Sequence, residues 1–226
     1  MIIVTGASRG IGLAISNRLV DSGEEVLGIS RDAASTKFPT KSLDVTDFKS
    51  IKCLSDEIRV SGKKVTGLIN AAGIASMNLA LMANPLTSIN LVNVNFLGTV
   101  YSCQGFTPLL VRNGGGSVIN FSTIAATLHL EGESIYAATK AAVENYSKTF
   151  AKELSKFNIR VNCIAPGPIQ TDLLSGVTED QINKIVKAQI IANKFEKHDV
   201  ADLVQLLLDP KAKSLTGQVF HVGGVR

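Results

Sequence analysis

The sequence predicts an α/β protein, a doubly wound parallel sheet of about seven strands with residues 1–226 forming one domain. Three observations lead there. Short β-branched runs alternate with longer helical patterns over the whole chain. The hydrophobic content of 45% comes with only 5% aromatics and no Trp, so Leu, Ile, Val and Ala must fill the core, as in sheets covered by helices on both faces. Nineteen Gly against six Pro supply tight strand-to-helix turns.

Each element can be justified in order. Ile2–Thr5 is wholly β-branched and ends at a glycine-rich turn, so it is the first strand. Leu13, Ile15, Leu19 and Val20 give the next stretch, Ile11–Ser22, a helical apolar face. A second strand covers Glu25–Ile29. The connection from Ser30 to Thr40 is too short and too rich in Ser, Thr and Pro for a full helix, which leaves a trimmed crossover into a strand at Lys41–Leu43. Further strands follow at Val65–Asn70, Ser117–Phe121, Arg160–Ile164 and Gln218–Val222. Helices fill the gaps at Asp47–Val60, Ser88–Val111 and Ile135–Lys156, with two more between Thr178 and Leu208. Between Asp172 and Phe195 an aliphatic stripe of Leu173, Leu174, Val177, Ile182, Ile185 and Val186 reads either as a mobile lid over a site or as core packing.

Composition removes several function classes. The net charge is +4, but Lys and Arg are scattered among Glu and Asp and form no basic stripe interleaved with aromatics, so no nucleic-acid partner is expected. No apolar run reaches the roughly 18 residues of a membrane helix, and the opening Met1-Ile2-Ile3-Val4-Thr5-Gly6 lacks the basic start of a signal peptide. Cys53, Cys103 and Cys163 are dispersed, as expected of reduced, buried thiols in a cytoplasmic protein. No His, Cys or Asp cluster has metal-ligand spacing.

In open α/β sheets, ligands bind beyond the carboxyl ends of the strands, and the informative residues of this chain fall there. After the first strand comes Thr5-Gly6-Ala7-Ser8-Arg9-Gly10-Ile11-Gly12. Gly6 allows the turn, Gly10 lets the backbone approach a pyrophosphate, and Gly12 lets the following helix pack closely. The helix N-terminus then offers free N–H groups and a positive dipole end to phosphates. This predicts a dinucleotide site on a Rossmann-type sheet. At the end of the second strand, an acid would bind the ribose hydroxyls of NAD, whereas an Arg accommodates the 2′-phosphate of NADP. Ser30 stands at that place with Arg31 beside it, and Arg9 adds a second cation, so NADP is the expected cofactor, with Asp32 read as a turn acid.

Tyr136-Ala137-Ala138-Thr139-Lys140 opens a helix and puts a phenol and an ammonium on one face. An unperturbed Tyr, with a pKa of about 10, is a poor base near neutrality, and a neighbouring ammonium lowers that value by stabilising the phenolate. Such a phenol is a proton donor for ketone reduction and a base for alcohol oxidation.

Taken together, TGASRGIG at 5–12, LDVTD at 43–47, NAAG at 70–73, the Asn of VNF at 94–96, YAATK at 136–140, PGPIQT at 166–171 and GQVFHVGG at 217–224 resemble the short-chain dehydrogenase/reductase family, 3-oxoacyl reductase-like members included, over essentially the whole chain. The resemblance implies hydride transfer between NADP(H) and a carbonyl or alcohol carbon, the substrate being a small molecule or a carrier-bound acyl thioester. It implies that Asp44 and Val45 contact the adenine, and that Asn70 braces the central strands while Ala71, Ala72 and Gly73 pass the ribose. Lys140 would hold the nicotinamide ribose, with Asn95 positioning a water between Lys140 and solvent. Pro166, Gly167, Ile169 and Thr171 would line the carboxamide. With Gly6, Ser8, Arg9, Gly10, Ile11, Gly12, Ser30 and Arg31 these residues make up the expected cofactor site. The family places a Ser thirteen residues before the Tyr; here position 123 is Thr, and Ser122 precedes it. Thr123 is thus expected to polarise the carbonyl, while an idle dinucleotide-binding protein of the same fold is the alternative that this substitution leaves open. Related enzymes also pair the two long helices across a two-fold axis, which implies a homotetramer or a homodimer; Leu91, Val94, Val100, Leu109, Ala142, Val143, Phe150 and Leu154 supply the apolar residues on these helices.

Overall fold

The computed structural model describes residues 1–32, 36–171, 174 and 177–225. Seven strands form one sheet: β1 (Ile2–Thr5), β2 (Val26–Ser30), β3 (Thr40–Ser42), β4 (Gly67–Asn70), β5 (Gly116–Phe121), β6 (Ile159–Ala165) and β7 (Val219–His221). Their order is β3-β2-β1-β4-β5-β6-β7 and every pairing is parallel. The order reverses between β1 and β4, which opens a crevice at their carboxyl ends.

Alternation along the strands divides the core in two. Ile3, Leu27, Leu68, Val118 and Val161 face one way and pack with helices α2 (Phe48–Val60) and α4 (Gly98–Arg112), where Phe106 is fully buried. Helix α6 (Ser134–Leu154) closes the same layer through Ala151 and Leu154. Ile2, Val4, Val26, Ile69, Ile119 and Ile164 face the other way, against α1 (Gly10–Asp21) and α8 (Lys197–Leu208). Full burial of one such aliphatic side chain is worth about 1.5–3 kcal/mol, so this double layer rather than any single contact holds the strand ends in place. Among the described residues no helix is long and apolar enough to cross a membrane.

The continuous helix expected over Ser88–Val111 is instead three pieces. Asn84 caps the backbone N–H of Leu86 at 2.8 Å and Pro85 occupies the first helical position, so α3 (Pro85–Leu91) starts earlier than predicted. Val92–Leu97 is then a π-helical turn, after which α4 resumes at Gly98. A π turn inserts one extra residue per turn and re-aims the side chains within it. Here that side chain is Asn95, fully buried beneath the crevice. Helix α5 (Ala125–Leu128) is a short turn, and α7 (Glu179–Ala188) carries a capping box between Thr178 and Gln181.

Several apolar residues named above for subunit pairing serve the chain's own core. Leu91, Leu109, Val143 and Leu154 are all buried. The apolar side chains left outside lie elsewhere on the same segment, at Leu86, Ile89 and Val92.

Candidate active site

Beyond the strand ends lies a cleft of about 230 Å³, and all but two of the residues singled out from sequence line it. It runs from the turn after β1 and the end of β2 to the ends of β5 and β6. Ser30 and Thr123 stand on strands three spacings apart, or about 14 Å at about 4.8 Å per strand.

At one end, Gly12 could not be another residue: a Cβ there would lie 2.2 Å from the Gly6 carbonyl oxygen. Gly10 has a φ of +59°, and its missing Cβ would project toward Thr171 across open space, 3.8 Å from Cγ2. The result is a cradle floored by backbone. Arg9, at the cap position of α1, makes no side-chain cap bond, and no acid occupies the first turn. Asp47 on α2 and Thr178 on α7 do cap their helices. The α1 terminus therefore keeps its N–H groups and positive dipole end for a ligand, which fits a dinucleotide pyrophosphate. Ser8, Ile11, Arg31, Asp44 and Val45 surround the same end. Ser30 donates to the Asp32 carbonyl at 2.7 Å, and one Asp44 carboxylate oxygen accepts from Thr46 N–H and Oγ1, both at 2.8 Å.

Ala71, Ala72 and Gly73 form the middle of the cleft, with Ala72 N–H donating to Thr5 Oγ1 at 3.2 Å. The two sequence-predicted residues that do not line it are set behind this wall. In-register pairing puts Asn70 beside Asn120, and the Asn70 amide donates to Asn120 Oδ1 at 2.8 Å and to Cys103 Sγ at 3.2 Å. Asn95 accepts from Ile74 N–H at 2.8 Å and donates to the Ile74 carbonyl at 2.9 Å and Thr139 Oγ1 at 3.2 Å. Its amide thus fastens the loop after Gly73, and a Cβ added to Gly73 would stand 3.3 Å from Asn95 Oδ1 and 3.4 Å from Lys140 Nζ.

The other end is built where β5 runs out. Ser122 N–H bonds to the Ile164 carbonyl at 2.8 Å and Ile124 N–H to the Pro166 carbonyl at 3.0 Å, which carries the β5–β6 alternation past the last strand residue. Ser122 and Thr123 consequently point to opposite sides. Ser122 is buried and donates to the Glu144 carboxylate on α6 at 2.6 Å. Thr123 faces the cleft, with Tyr136 and Lys140 in the same wall. Pro166, Gly167, Ile169 and Thr171 complete it, and Leu174, Val177 and Ile185 from the aliphatic stripe close over them. Asp172 and Leu173 lie outside the described residues.

Electrostatics here follow burial more than pairing. Desolvation holds the Lys140 ammonium down, to about 8, and its Nζ donates to the Phe121 carbonyl at 3.0 Å. The Tyr136 phenol is pushed up from its ordinary value, by burial first and then by the Glu133 carboxylate, while a hydrogen bond with Thr123 pulls the other way. The lowering expected from Lys140 is not found here: burial dominates, and the Lys140 ammonium is engaged by a backbone carbonyl. Sequence reasoning missed Glu133, which lines the cleft one helical turn before Tyr136 and was discoverable from that i−3 spacing. It also missed Ser76, Met77, Ile124 and Leu130, which carry no sequence signal of their own.

The profile of the family described as "Enoyl-(Acyl carrier protein) reductase" matches residues 6–225. The chain is 34% identical to carbonyl reductase family member 4 of Xenopus laevis, covering 98% of this chain and 95% of that protein. It is 32% identical to the 3-oxoacyl-(acyl-carrier-protein) reductase FabG of Staphylococcus epidermidis, covering 98% and 96%. Its fold superposes on a short-chain type dehydrogenase/reductase from Mycobacterium ulcerans with a TM-score of 0.91 at 27% identity, over 99% of this chain and 88% of that one.

Lys140 gives a direct test of the electrostatics. A group that binds its proton more weakly folded than unfolded makes stability rise with pH between the two pKa values, here from about 8 to the ordinary 10.5. Lys140→Met removes the titration, so denaturant unfolding of both proteins should show the parent gaining on the variant across that window. Parallel curves would mean the ammonium is not desolvated. With the cleft, the profile match and the whole-chain relatives in agreement, the chain is similar over its length to a 3-oxoacyl reductase and belongs to the short-chain dehydrogenase/reductase family of oxidoreductases.

Proposed function

We propose that the protein is an NADP(H)-dependent reductase that converts a ketone, such as a 3-oxoacyl thioester, into the corresponding alcohol. The observation that carries this reading is the convergence of the Thr123 and Tyr136 side chains and the Lys140 ammonium at one end of a cleft whose other end is an uncapped helix N-terminus. The Gly6–Gly12 turn would hold NADPH, which would supply the hydride. Thr123 and Tyr136 would direct their hydroxyls at the carbonyl oxygen, where negative charge develops, and Tyr136 would donate the proton. Burial keeps that proton on the phenol, which suits a donor in the reducing direction. Lys140 would hold the nicotinamide ribose and Asn95 would keep the Gly73 loop in place beside it. Asp44 and Val45 would meet the adenine, and Pro166, Gly167, Ile169 and Thr171 the carboxamide. The named activities of the Xenopus and Staphylococcus relatives are consistent with this substrate class.

Cofactor preference rests on Arg9 and Arg31, both exposed at the cleft with no ion-pair partner among the described residues. NADPH should bind at least tenfold more tightly than NADH, about 1.4 kcal/mol, and a fluorescence titration of both cofactors measures it. Equal affinities would mean that these guanidiniums serve something else.

The hydroxyl assignment is tested by neighbours. Thr123→Ala should lower kcat by about 10²–10³ while leaving NADPH affinity nearly unchanged, the usual cost of removing one hydrogen bond to developing oxyanion charge. Ser122→Ala should show itself mainly in unfolding experiments, because its hydroxyl is committed to Glu144. A crippled Ser122→Ala beside an active Thr123→Ala would reverse the roles.

Assembly as a homotetramer, or at least a homodimer, is part of the same reading. The exposed Leu86, Ile89 and Val92 on the α3 segment give it a surface to cover. Light scattering at low micromolar concentration should return a multiple of the 23.9 kDa chain mass; a stable monomer would exclude it.

A further inference from the structure

Among the described residues Glu133 is the one acidic side chain at the carbonyl end of the cleft; the other described acids lining it, Asp32 and Asp44, belong to the opposite end. It occupies the cap position of α6 yet makes no side-chain cap bond, and its carboxylate has no hydrogen-bond or ion-pair partner among the described residues. The nearest cation of the wall, Lys140, is turned to the Phe121 carbonyl. Leu130, Ile124, Met77, Val177 and Ile185 make the rest of that end apolar. The carboxylate is near enough to Tyr136 to act on its phenol, so it also looks onto the place where a carbonyl would be reduced.

We propose that Glu133 is a charge filter that sets substrate class: its carboxylate excludes carbonyl compounds bearing a free carboxylate close to the reacting carbon, and admits those whose acid is masked as an ester, thioester or amide. The inference rests on the reductase reading above and adds to it which substrates the site refuses. Like charges brought together against apolar side chains repel far more than in bulk solvent. An apolar wall offers the excluded anion no compensating donor. A masked acid meets no such repulsion, and the unused acceptor oxygens of Glu133 remain available to a donor on its chain.

The experiment compares ethyl acetoacetate with acetoacetate, which differ by one masked carboxylate, at pH 8, chosen well above the ordinary carboxylate range because burial pushes the Glu133 carboxyl up. Their ratio of kcat/KM is measured with NADPH for the parent, Glu133→Gln and Glu133→Asp, and their ratio of affinities for each protein–NADP complex is measured by calorimetry. The preference for the ester should fall at least tenfold in Glu133→Gln, which keeps the shape and loses the charge, and Glu133→Asp should retain it. An unchanged ratio in Glu133→Gln overturns the filter. If the parent reduces neither compound, the reductase reading fails separately, and the affinity ratio alone decides: lost discrimination in Glu133→Gln upholds the filter, and retained discrimination overturns it. If neither compound binds any of the three proteins, the cleft does not receive such carbonyl compounds and the filter falls.

Discussion

Helix α6 is fastened to the carboxyl end of β5 from both partners at once, and the Thr123–Tyr136 end of the cleft depends on that clamp. Lys140 reaches from the helix to the Phe121 carbonyl at 3.0 Å, and Ser122 reaches from the strand to the Glu144 carboxylate at 2.6 Å. The two contacts lie four residues apart on the helix, one turn, and one residue apart on the strand. They therefore set both the depth and the rotation of α6. With the rotation set, Tyr136 has to face the side of β5 that Ser122 does not use, which is the side of Thr123. The clamp is strong for a local reason. Both donors are buried, so neither has water as an alternative partner, and leaving one unmet would cost a full desolvation penalty.

The same dryness governs the proton chemistry. An ammonium and a phenol sharing a solvated groove would pair and lower the phenol's pKa. Here the ammonium is desolvated and satisfied by a backbone carbonyl, and the phenol sits near a carboxylate rather than a free cation, so its proton is held more firmly. The consequence is directional: the resting site favours giving a proton over taking one. Cys103 and Cys163, likewise buried, are pushed up to about 12 and stay protonated, so neither thiol acts as a nucleophile behind the wall.

Much of this was legible in the sequence, for reasons that can be named. The wholly β-branched Ile2–Thr5 and the glycine spacing after it encode a strand, a turn and a helix start with little tertiary help. Counting thirteen residues back from Tyr136 picks out Thr123; both it and Ser122 line the cleft, and the Ser122 hydroxyl is committed to Glu144. What escaped was non-local. A π turn at Val92–Leu97 has the same apolar content as an α-helix, so the run read as continuous, and only packing against the Ile74 backbone reveals why Asn95 is turned inward. Leu91, Leu109, Val143 and Leu154 have the spacing of an outward stripe as well as of an inward one, and only the fold says which face meets the sheet. Glu133 belongs to no motif, and nothing in its local sequence marks it apart from its i−3 spacing to Tyr136. Its lack of a cap bond is visible only in three dimensions.

The two ends of the cleft carry opposite demands, and their separation makes one orientation of a bound ligand favourable. The uncapped α1 terminus, Arg9 and Arg31 gather positive potential at the β1–β2 end. Among the described residues the β5–β6 end is largely apolar, with its one ammonium turned to a backbone carbonyl and its one carboxylate unpaired. Phosphates placed at the second end would be desolvated beside Glu133 without a cation to answer them; placed at the first, they meet N–H groups and guanidiniums. Reversal therefore loses at both ends together, and the penalties add because the ends are too far apart to share a partner. A dinucleotide so oriented presents its uncharged, reactive end where the Thr123 and Tyr136 hydroxyls converge. The polarity of the site then comes from strand order. β2 and β5 are kept three strands apart by the reversal between β1 and β4, so the same switch that opens the crevice also separates the cationic end from the Tyr136 phenol.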